Sequence, residues 1–343
     1  MNILAIESSC DETAAAVIKD GTEVLSNIIA SQVEIHARYG GVVPEVAARS
    51  HIEVILPVID EALSEAKCSW DDIDAIAVTK GPGLIGSLLI GVMTARTLAI
   101  TKNKPLIGIN HIWAHAFASF LTDSRPAFPF LALTVSGGHT TLSLYSKDLS
   151  RKVIGETLDD AAGEAFDKVA KLVGLGYPGG PAISKAAESG DEDKYQFPMA
   201  NLGKSSFDFS FSGLKTAVLR QIQQLTGQNP GIIDGNKSYE LEPKVVADLS
   251  ASFQKAAIGA LIKQTHKAYL QLKPKALVVG GGVAANSYLR EKILDIIPNA
   301  IFVPPILCTD NAAMIGALAY QKYQKGQLAD PFELNVDSSL EVI

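Results

Sequence analysis

Apolar residues along the chain fall into short runs whose spacing alternates between that of a strand and that of a helix. Met1–Ile6 is apolar and ends in the polar stretch Glu7-Ser8-Ser9-Cys10-Asp11-Glu12-Thr13, after which Ala14–Ile18 is apolar again. Two such runs around a turn of small polar residues predict a β-hairpin. Ile52–Ala66 carries apolar residues at helical spacing. Asp74–Val78 reads as a strand, broken by Lys80-Gly81-Pro82-Gly83 and followed by a helix over Ser87–Ile100. Pro105–Ile109 reads as a strand ending at His111. Phe130–Val135 and Thr141–Tyr145 flank Ser136-Gly137-Gly138-His139 as a second strand pair. Ala276–Val279 closes on Gly280-Gly281-Gly282, with a helix from about Asn286, and another helix covers Asn311–Tyr323. Alternation of this kind predicts an α/β fold.

The pieces repeat in order. Strand, polar turn, strand occurs at 3–18 and again at 130–145; strand, glycine turn, helix occurs at 74–100 and again at 276–297. A repeat on this scale predicts a duplicated α/β domain with a cleft between the halves. Prolines interrupt the pattern at Ser124–Pro129, which places the boundary between a domain of 1–125 and one of 126–343. Beyond Gly326 no period stands out.

Composition narrows the class. With 343 residues, 47% hydrophobic and 20% charged, the chain can bury a large core in two domains. No apolar run reaches the roughly 20 residues that cross a bilayer, and Met1–Ile6 lacks the basic flank of a signal peptide. Cys10, Cys68 and Cys308 stand far apart with no CxxC, which speaks against a disulfide framework or a thiolate zinc site. The expected compartment is the cytoplasm. A formal charge of −7 argues against nucleic-acid binding through the overall field, so any RNA contact needs a local basic patch or a partner.

Several turns carry more chemistry than a connection requires. The first offers hydroxyls and backbone N–H groups beside Asp11 and Glu12; such a turn can cradle an anion or hold a metal or its waters, and it can equally be a plain hairpin turn. In the second, Gly137 and Gly138 let the backbone approach a phosphate. The third, Gly280–Asn286, lacks the dinucleotide spacing GxGxxG; Asn286 can cap the following helix or bond a ribose or base. His111 and His115 are four apart, which on a helix puts both imidazoles on one face, as a pair of metal ligands or of surface polar groups. The position after His111 is Ile112, so the general base of an HExxH protease is missing. Asp310 is the chosen third ligand, with helix capping as its alternative role. In Asp159–Lys168 capping explains Asp159 and Asp160, while Asp167 is a candidate ribose ligand. Gly180, in the turn Tyr177–Pro181, can lie against a nucleotide, and Phe207–Thr216 is an edge strand or a flap bearing Lys215.

Taken together, Glu7–Thr13 (ESSCDET), Tyr39–Ala47 (YGGVVPEVA), Gly81–Gly86 (GPGLIG), His111–His115, Val135–Thr140 (VSGGHT), Asp159–Lys168 (DDAAGEAFDK), Tyr177–Pro181 (YPGGP), Phe207–Thr216 (FDFSFSGLKT), Gly280–Asn286 (GGGVAAN) and Cys308–Met314 (CTDNAAM) span nearly the whole chain. In this order they resemble the universal tRNA threonylcarbamoyladenosine family, in its bacterial TsaD branch, long described as glycoproteases. The resemblance implies a duplicated actin/Hsp70/sugar-kinase-like (ASKHA) fold with a nucleotide in the interdomain cleft. It implies one divalent metal, Fe2+ or Zn2+, on His111, His115 and Asp310. It implies contacts from Thr134, Val135, Ser136, Gly137, Gly138, Asp167, Gly180 and Asn286 to ATP or an adenylate substrate.

The implied activity is an acyl transfer. Threonylcarbamoyl passes from threonylcarbamoyl-AMP to the N6 amine of the adenosine 3′ of the anticodon in tRNAs reading ANN codons. The implied partners are tRNA, an inactive TsaB-like paralogue and a TsaE-like P-loop ATPase, with no membrane. From their position, Asp11 or Glu12 is a candidate for taking the amine proton, with a structural role the alternative. Two residues depart from the family pattern: Trp113 stands where Glu is common, and Ser184 stands where many relatives are acidic. Fold alone leaves two other readings, an ATP-dependent small-molecule kinase and a non-catalytic scaffold.

Overall fold

The computed structural model describes residues 1–340 except 40, 201, 204, 228–238 and 240, so Gly40 of the Tyr39–Ala47 motif lies outside the described residues. In chain order the strands are β1 (Asn2–Glu7), β2 (Glu12–Lys19), β3 (Glu23–Ser31), β4 (Ala75–Gly81), β5 (Leu106–Asn110), β6 (Phe130–Val135), β7 (Thr140–Tyr145), β8 (Arg151–Glu156), β9 (Ala276–Gly280) and β10 (Ile301–Phe302). The helices are α1 (Val33–Ala37), α2 (Pro44–Glu65), α3 (Ile85–Thr101), α4 (His111–Phe117), α5 (Ala162–Leu172), α6 (Gly179–Ala187), α7 (Ser212–Thr226), α8 (Pro243–Leu272), α9 (Ser287–Ile296), α10 (Pro305–Cys308) and α11 (Ala312–Tyr323). The described chain divides into two compact units, Met1–Phe128 with Tyr145–Arg151 and Ile301–Ile343, and Pro129–Leu144 with Lys152–Ala300.

Each sheet is mixed. The first runs β3-β2-β1-β4-β5 and the second β10-β9-β6-β7-β8. β1 pairs antiparallel with β2, Ile3 opposite Ile18 and Glu7 opposite Ala14, and parallel with β4, Ile3 opposite Ala75. In the same positions of the repeat, β6 pairs parallel with β9, Phe130 opposite Ala276. Strand β3, which no sequence signal marked, is the outer strand beside β2.

The central strands are apolar on both faces because both faces are covered. On one face Leu4, Ile6 and Val78 join Ile55, Ile59 and Val92 of α2 and α3 in a single apolar cluster. On the other, α11 lies so close that a Cβ on Gly316 would overlap Ile18. Each fully buried Ile, Leu or Val contributes roughly 1.5–3 kcal/mol relative to exposure. In the second unit, α8 is long and apolar enough to cross a membrane by length and composition. The sequence reading had excluded any such run. Two-thirds of its most apolar window is buried, and its buried face includes Asp248, Ser250, Gln254 and Gln264. That pattern belongs to the core helix of a globular domain.

Candidate active site

The site in the first unit is built where β1, β4 and β5 end. Glu7, the last residue of β1, is 0% exposed. Its Oε1 accepts from the backbone N–H of Ser9 at 2.6 Å and its Oε2 from Thr79 Oγ1 at 2.5 Å. Oε2 also lies 3.1 Å from His111 Nδ1, and Ser9 Oγ reaches the same nitrogen at 3.1 Å. A carboxylate on Nδ1 fixes which nitrogen carries hydrogen, and this leaves Nε2 as the ligand atom of His111. Glu7 belonged to a sequence motif, but nothing in the pattern singled it out from its acidic neighbours.

Asn110 starts α4 by accepting from Trp113 N at 3.2 Å. Within that helix the His111 and His115 rings stand perpendicular, 4.9 Å apart. His111 Nε2 is 3.4 Å and His115 Nε2 is 3.3 Å from the same Oδ1 of Asp310. Asn311, not Asp310, caps α11: its side chain accepts from Met314 N at 3.0 Å. Capping therefore does not use the Asp310 carboxylate, which is 23% exposed.

One donor atom from each of His111, His115 and Asp310 falls within 4.8 Å of the others. His115 is 2% exposed, and neither ring nitrogen makes a hydrogen bond among the described residues, although Nε2 lies 3.3 Å from Asp310 Oδ1. Sealing a polar group without a partner costs about 1–3 kcal/mol. An imidazole so placed, facing a second imidazole and a carboxylate, fits a divalent cation such as zinc or iron.

Charge reinforces the cluster. Burial pushes His111 down, but Asp310 and Glu7 outweigh it and hold the imidazole well above its usual range. Burial pushes Asp310 up, and the two imidazoles reverse this and hold it well below the usual carboxylate range. Burial likewise raises Glu7, and His111 brings it below its ordinary value.

The acidic turn is held from several sides. Cys10 O accepts from Ser87 Oγ at 3.2 Å and lies 3.0 Å from His51 Nε2, while His51 Nδ1 is 2.7 Å from Thr13 Oγ1. Asp11 is buried, and Glu12 opens β2 with Ser31 Oγ at 3.4 Å. Burial, with Asp310 and Asp11 nearby, pushes Glu12 up to about 9. A shift in that direction favours the protonated form of Glu12.

In the second unit, the β6–β7 turn closes through Ser136 N to His139 O at 2.8 Å and His139 N to Ser136 Oγ at 3.2 Å. The side chains of Thr134 and Val135 are buried. Gly137 and Gly138 are exposed, and a Cβ on either would meet open space. Gly281 has φ +90°, and a Cβ there would stand 2.5 Å from the Val135 carbonyl oxygen, so the third turn packs directly on β6.

Asp167 Oδ1 accepts from Gly179 N at 2.7 Å, tying α5 to the start of α6. Burial pushes Asp167 up against that hydrogen bond. Beside it Gly180 is open, with nothing within 4 Å of its would-be Cβ. Asn286 caps α9 through Leu289 N at 2.9 Å and bonds Ser184 and Gln254. Gln254 lay in no motif.

Two expectations are corrected. Asp159 and Asp160 do not cap α5, whose cap position is Ala161. Asp159 instead accepts from Phe211 N at 2.7 Å, Ser212 N at 3.2 Å, Ser210 Oγ at 2.6 Å and Ser212 Oγ at 2.8 Å, and Asp160 pairs with Lys168. Phe207–Thr216 is not a regular edge strand: it makes a single bridge, Phe209 to Thr157, and enters α7 at Ser212, so Lys215 sits in a helix.

Two solved structures share this architecture. Component A of (R)-2-hydroxyglutaryl-CoA dehydratase from Acidaminococcus fermentans matches with TM-score 0.51 and 15% identity, over 94% of this chain and 99% of that one. Full-length HypF matches with TM-score 0.60 and 12% identity, over 94% of this chain and 55% of that one. The fold is the duplicated α/β class of actin, Hsp70 and sugar kinases.

Sequence comparison resolves the class further. The family model described as TsaD, tRNA N6-adenosine threonylcarbamoyltransferase, matches residues 23–317. The curated tRNA N6-adenosine threonylcarbamoyltransferase of Clostridium botulinum (strain Hall) is 52% identical over 334 residues, covering 95% of this chain and 94% of that protein. That of Thermomicrobium roseum is 50% identical over 357 residues, covering 100% and 97%. The chain belongs to this family of acyltransferases that modify tRNA.

Proposed function

We propose that this chain transfers threonylcarbamoyl from threonylcarbamoyl-AMP to the N6 amine of the adenosine 3′ of the anticodon in tRNAs reading ANN codons, with a divalent metal on His111, His115 and Asp310. The observation that carries the metal assignment is His115, a buried imidazole with no hydrogen-bond partner among the described residues, facing His111 and Asp310. A bound divalent ion supplies Lewis-acid charge for a phosphate or carbamoyl oxygen.

The amine attacks the carbamoyl carbon, the carbamoyl–phosphate bond breaks, and AMP leaves with that electron pair. AMP is a good leaving group, so the protein chiefly orients the reactants and stabilises charge. Glu7 holds the His111 ring in place. Of the two turn carboxyls that could take the amine proton, Asp11 is the preferred one, because burial favours the protonated form of Glu12. In the second unit the bare backbone of Ser136–Gly138 suits phosphate, and Asp167, Gly180 and Asn286 suit the nucleoside.

The partner reading is tRNA, as the family name implies, with an inactive TsaB-like paralogue and a TsaE-like P-loop ATPase; the exposed apolar side chains on the adjacent helices α2 and α3, Ile52, Leu56, Ile85, Leu89 and Met93, support a protein contact. The working compartment is the cytoplasm, where tRNA is modified. The kinase alternative is not favoured, because relatives at about half identity carry the transferase name.

The assignment is tested by replacing both imidazoles. His111→Ala with His115→Ala is expected to lower bound metal well below one ion per chain and to abolish transfer, with an unchanged circular-dichroism spectrum. Full metal occupancy in the double variant would place the site elsewhere.

A further inference from the structure

Gln254 is 7% exposed and lies on α8, where a buried amide needs hydrogen-bond partners. Its Oε1 accepts twice, from Asn286 Nδ2 at 2.8 Å and from Ser184 Oγ at 3.1 Å. Which end of this amide points inward follows from a chain of constraints. The backbone N–H of Leu289 donates to Asn286 Oδ1 as the cap of α9, so Asn286 must turn its Nδ2 the other way. The two hydrogens of Nδ2 then go to Ser184 Oγ at 2.7 Å and to Gln254 Oε1. A donor faces an acceptor, so the helix cap fixes Asn286 and Asn286 fixes Gln254.

Two consequences bear on the ligand. Asn286 has spent both amide hydrogens inside the protein and has no donor left. Gln254 Nε2 carries two hydrogens, finds no partner among the described residues, and is not among the fully enclosed polar atoms.

We propose that Gln254, beside Asn286, presents a hydrogen-bond donor to the nucleotide, and so selects a ligand with an acceptor there, a ribose oxygen or a base nitrogen. The inference rests on the reading that this node faces the adenylate. Ser184 belongs to the same device: a hydroxyl can donate to Gln254 Oε1, whereas a carboxylate at 184 would need a donor from Gln254 and would turn its amide over.

The test is calorimetric titration of the full-length, metal-loaded protein with ATP and with uncharged adenosine. Gln254→Glu keeps the two inward bonds and exchanges the outward donor for an acceptor. It is expected to weaken both ligands about tenfold or more, or ~1.4 kcal/mol, with wild-type melting temperature and metal content. Loss with adenosine excludes simple repulsion of the phosphates. The ratio of wild-type to variant affinity is expected to collapse towards one for the analogue lacking the accepted atom, 2′-deoxy-, 3′-deoxy- or 7-deaza-adenosine, which separates ribose from base. If Gln254→Glu fails to fold, Gln254→Met, of similar volume, carries the same expectation. Wild-type affinity for adenosine in a folded variant would overturn the inference while leaving the nucleotide site intact. A wild-type protein that binds neither ATP nor adenosine would overturn the nucleotide reading itself.

Discussion

Side chains at the end of β1 divide their labour by what surrounds them. Glu7 is fully buried and engaged, with Ser9, Thr79 and His111 on its oxygens, whereas Asp11 and Glu12 sit in the turn beyond. The histidine pair was legible because a spacing of four is a geometric statement about a helix. Asp310 was legible only as one of two roles, and of these the cap falls to the neighbouring Asn311. Glu7 and Gln254 were not legible as site residues, because each acts through contacts made 104 and 32 positions away, which no local pattern encodes. At this scale the two turn carboxyls are expected to differ. Asp11→Asn should leave nucleotide affinity within about tenfold and lower single-turnover transfer by about a hundredfold or more, the scale of a lost general base. Glu12→Gln, isosteric with the protonated acid, should keep transfer within about tenfold. Equal losses in the two variants would contradict this division.

Elements with a clean apolar period were read almost to the residue: β1, β4, α3, β6, β9 and α11 all fall within two or three positions of expectation. Helix α2 starts at Pro44 rather than Ile52 because its first turns mix small and polar residues. His51 among them is buried through its bonds to Thr13 and Cys10, not through apolar character. Strand β3 was invisible for a related reason: as an outer strand it alternates poorly, and Ser26 is its one fully buried side chain. The segment before α7 is ordered by a single carboxylate, since Asp159 gathers two backbone N–H groups and two hydroxyls. Those bonds, after burial works against them, hold Asp159 below the usual carboxylate range. Asp159→Ala is therefore expected to raise amide exchange at Phe211 and Ser212 and to speed proteolysis around Ser206–Gly213, with a fall of only a few degrees in melting temperature. Unchanged exchange at both amides would show that the segment is held by its aromatic side chains instead.

Across the whole molecule the duplication was legible and the path of the carboxyl terminus was not. Ile301–Ile343 belongs with the first unit, although the sequence reading placed it in the second. The tail is tied by backbone rather than by a side-chain period. Ala329 N donates to Leu106 O at 2.8 Å, and Arg96 donates to the carbonyls of Pro331, Phe332 and Leu334 at 2.5, 2.7 and 3.3 Å. Such bonds leave no hydrophobic signature to read. The net charge of −7 sets a further expectation. The isolated chain should bind tRNA weakly, with a shallow dependence of log affinity on log salt, because few phosphates are neutralised. Tight, steeply salt-dependent binding by the chain alone would contradict the view that partners supply much of the docking surface. The central claim, transfer to adenosine, is tested most directly by nucleoside analysis of unmodified tRNA incubated with this protein, its partners and threonylcarbamoyl-AMP. The expected result is threonylcarbamoyladenosine next to the anticodon with the wild-type protein, and none when His111 and His115 are both Ala. If no modified nucleoside forms while the Clostridium botulinum relative modifies the same tRNA under the same conditions, the account is wrong.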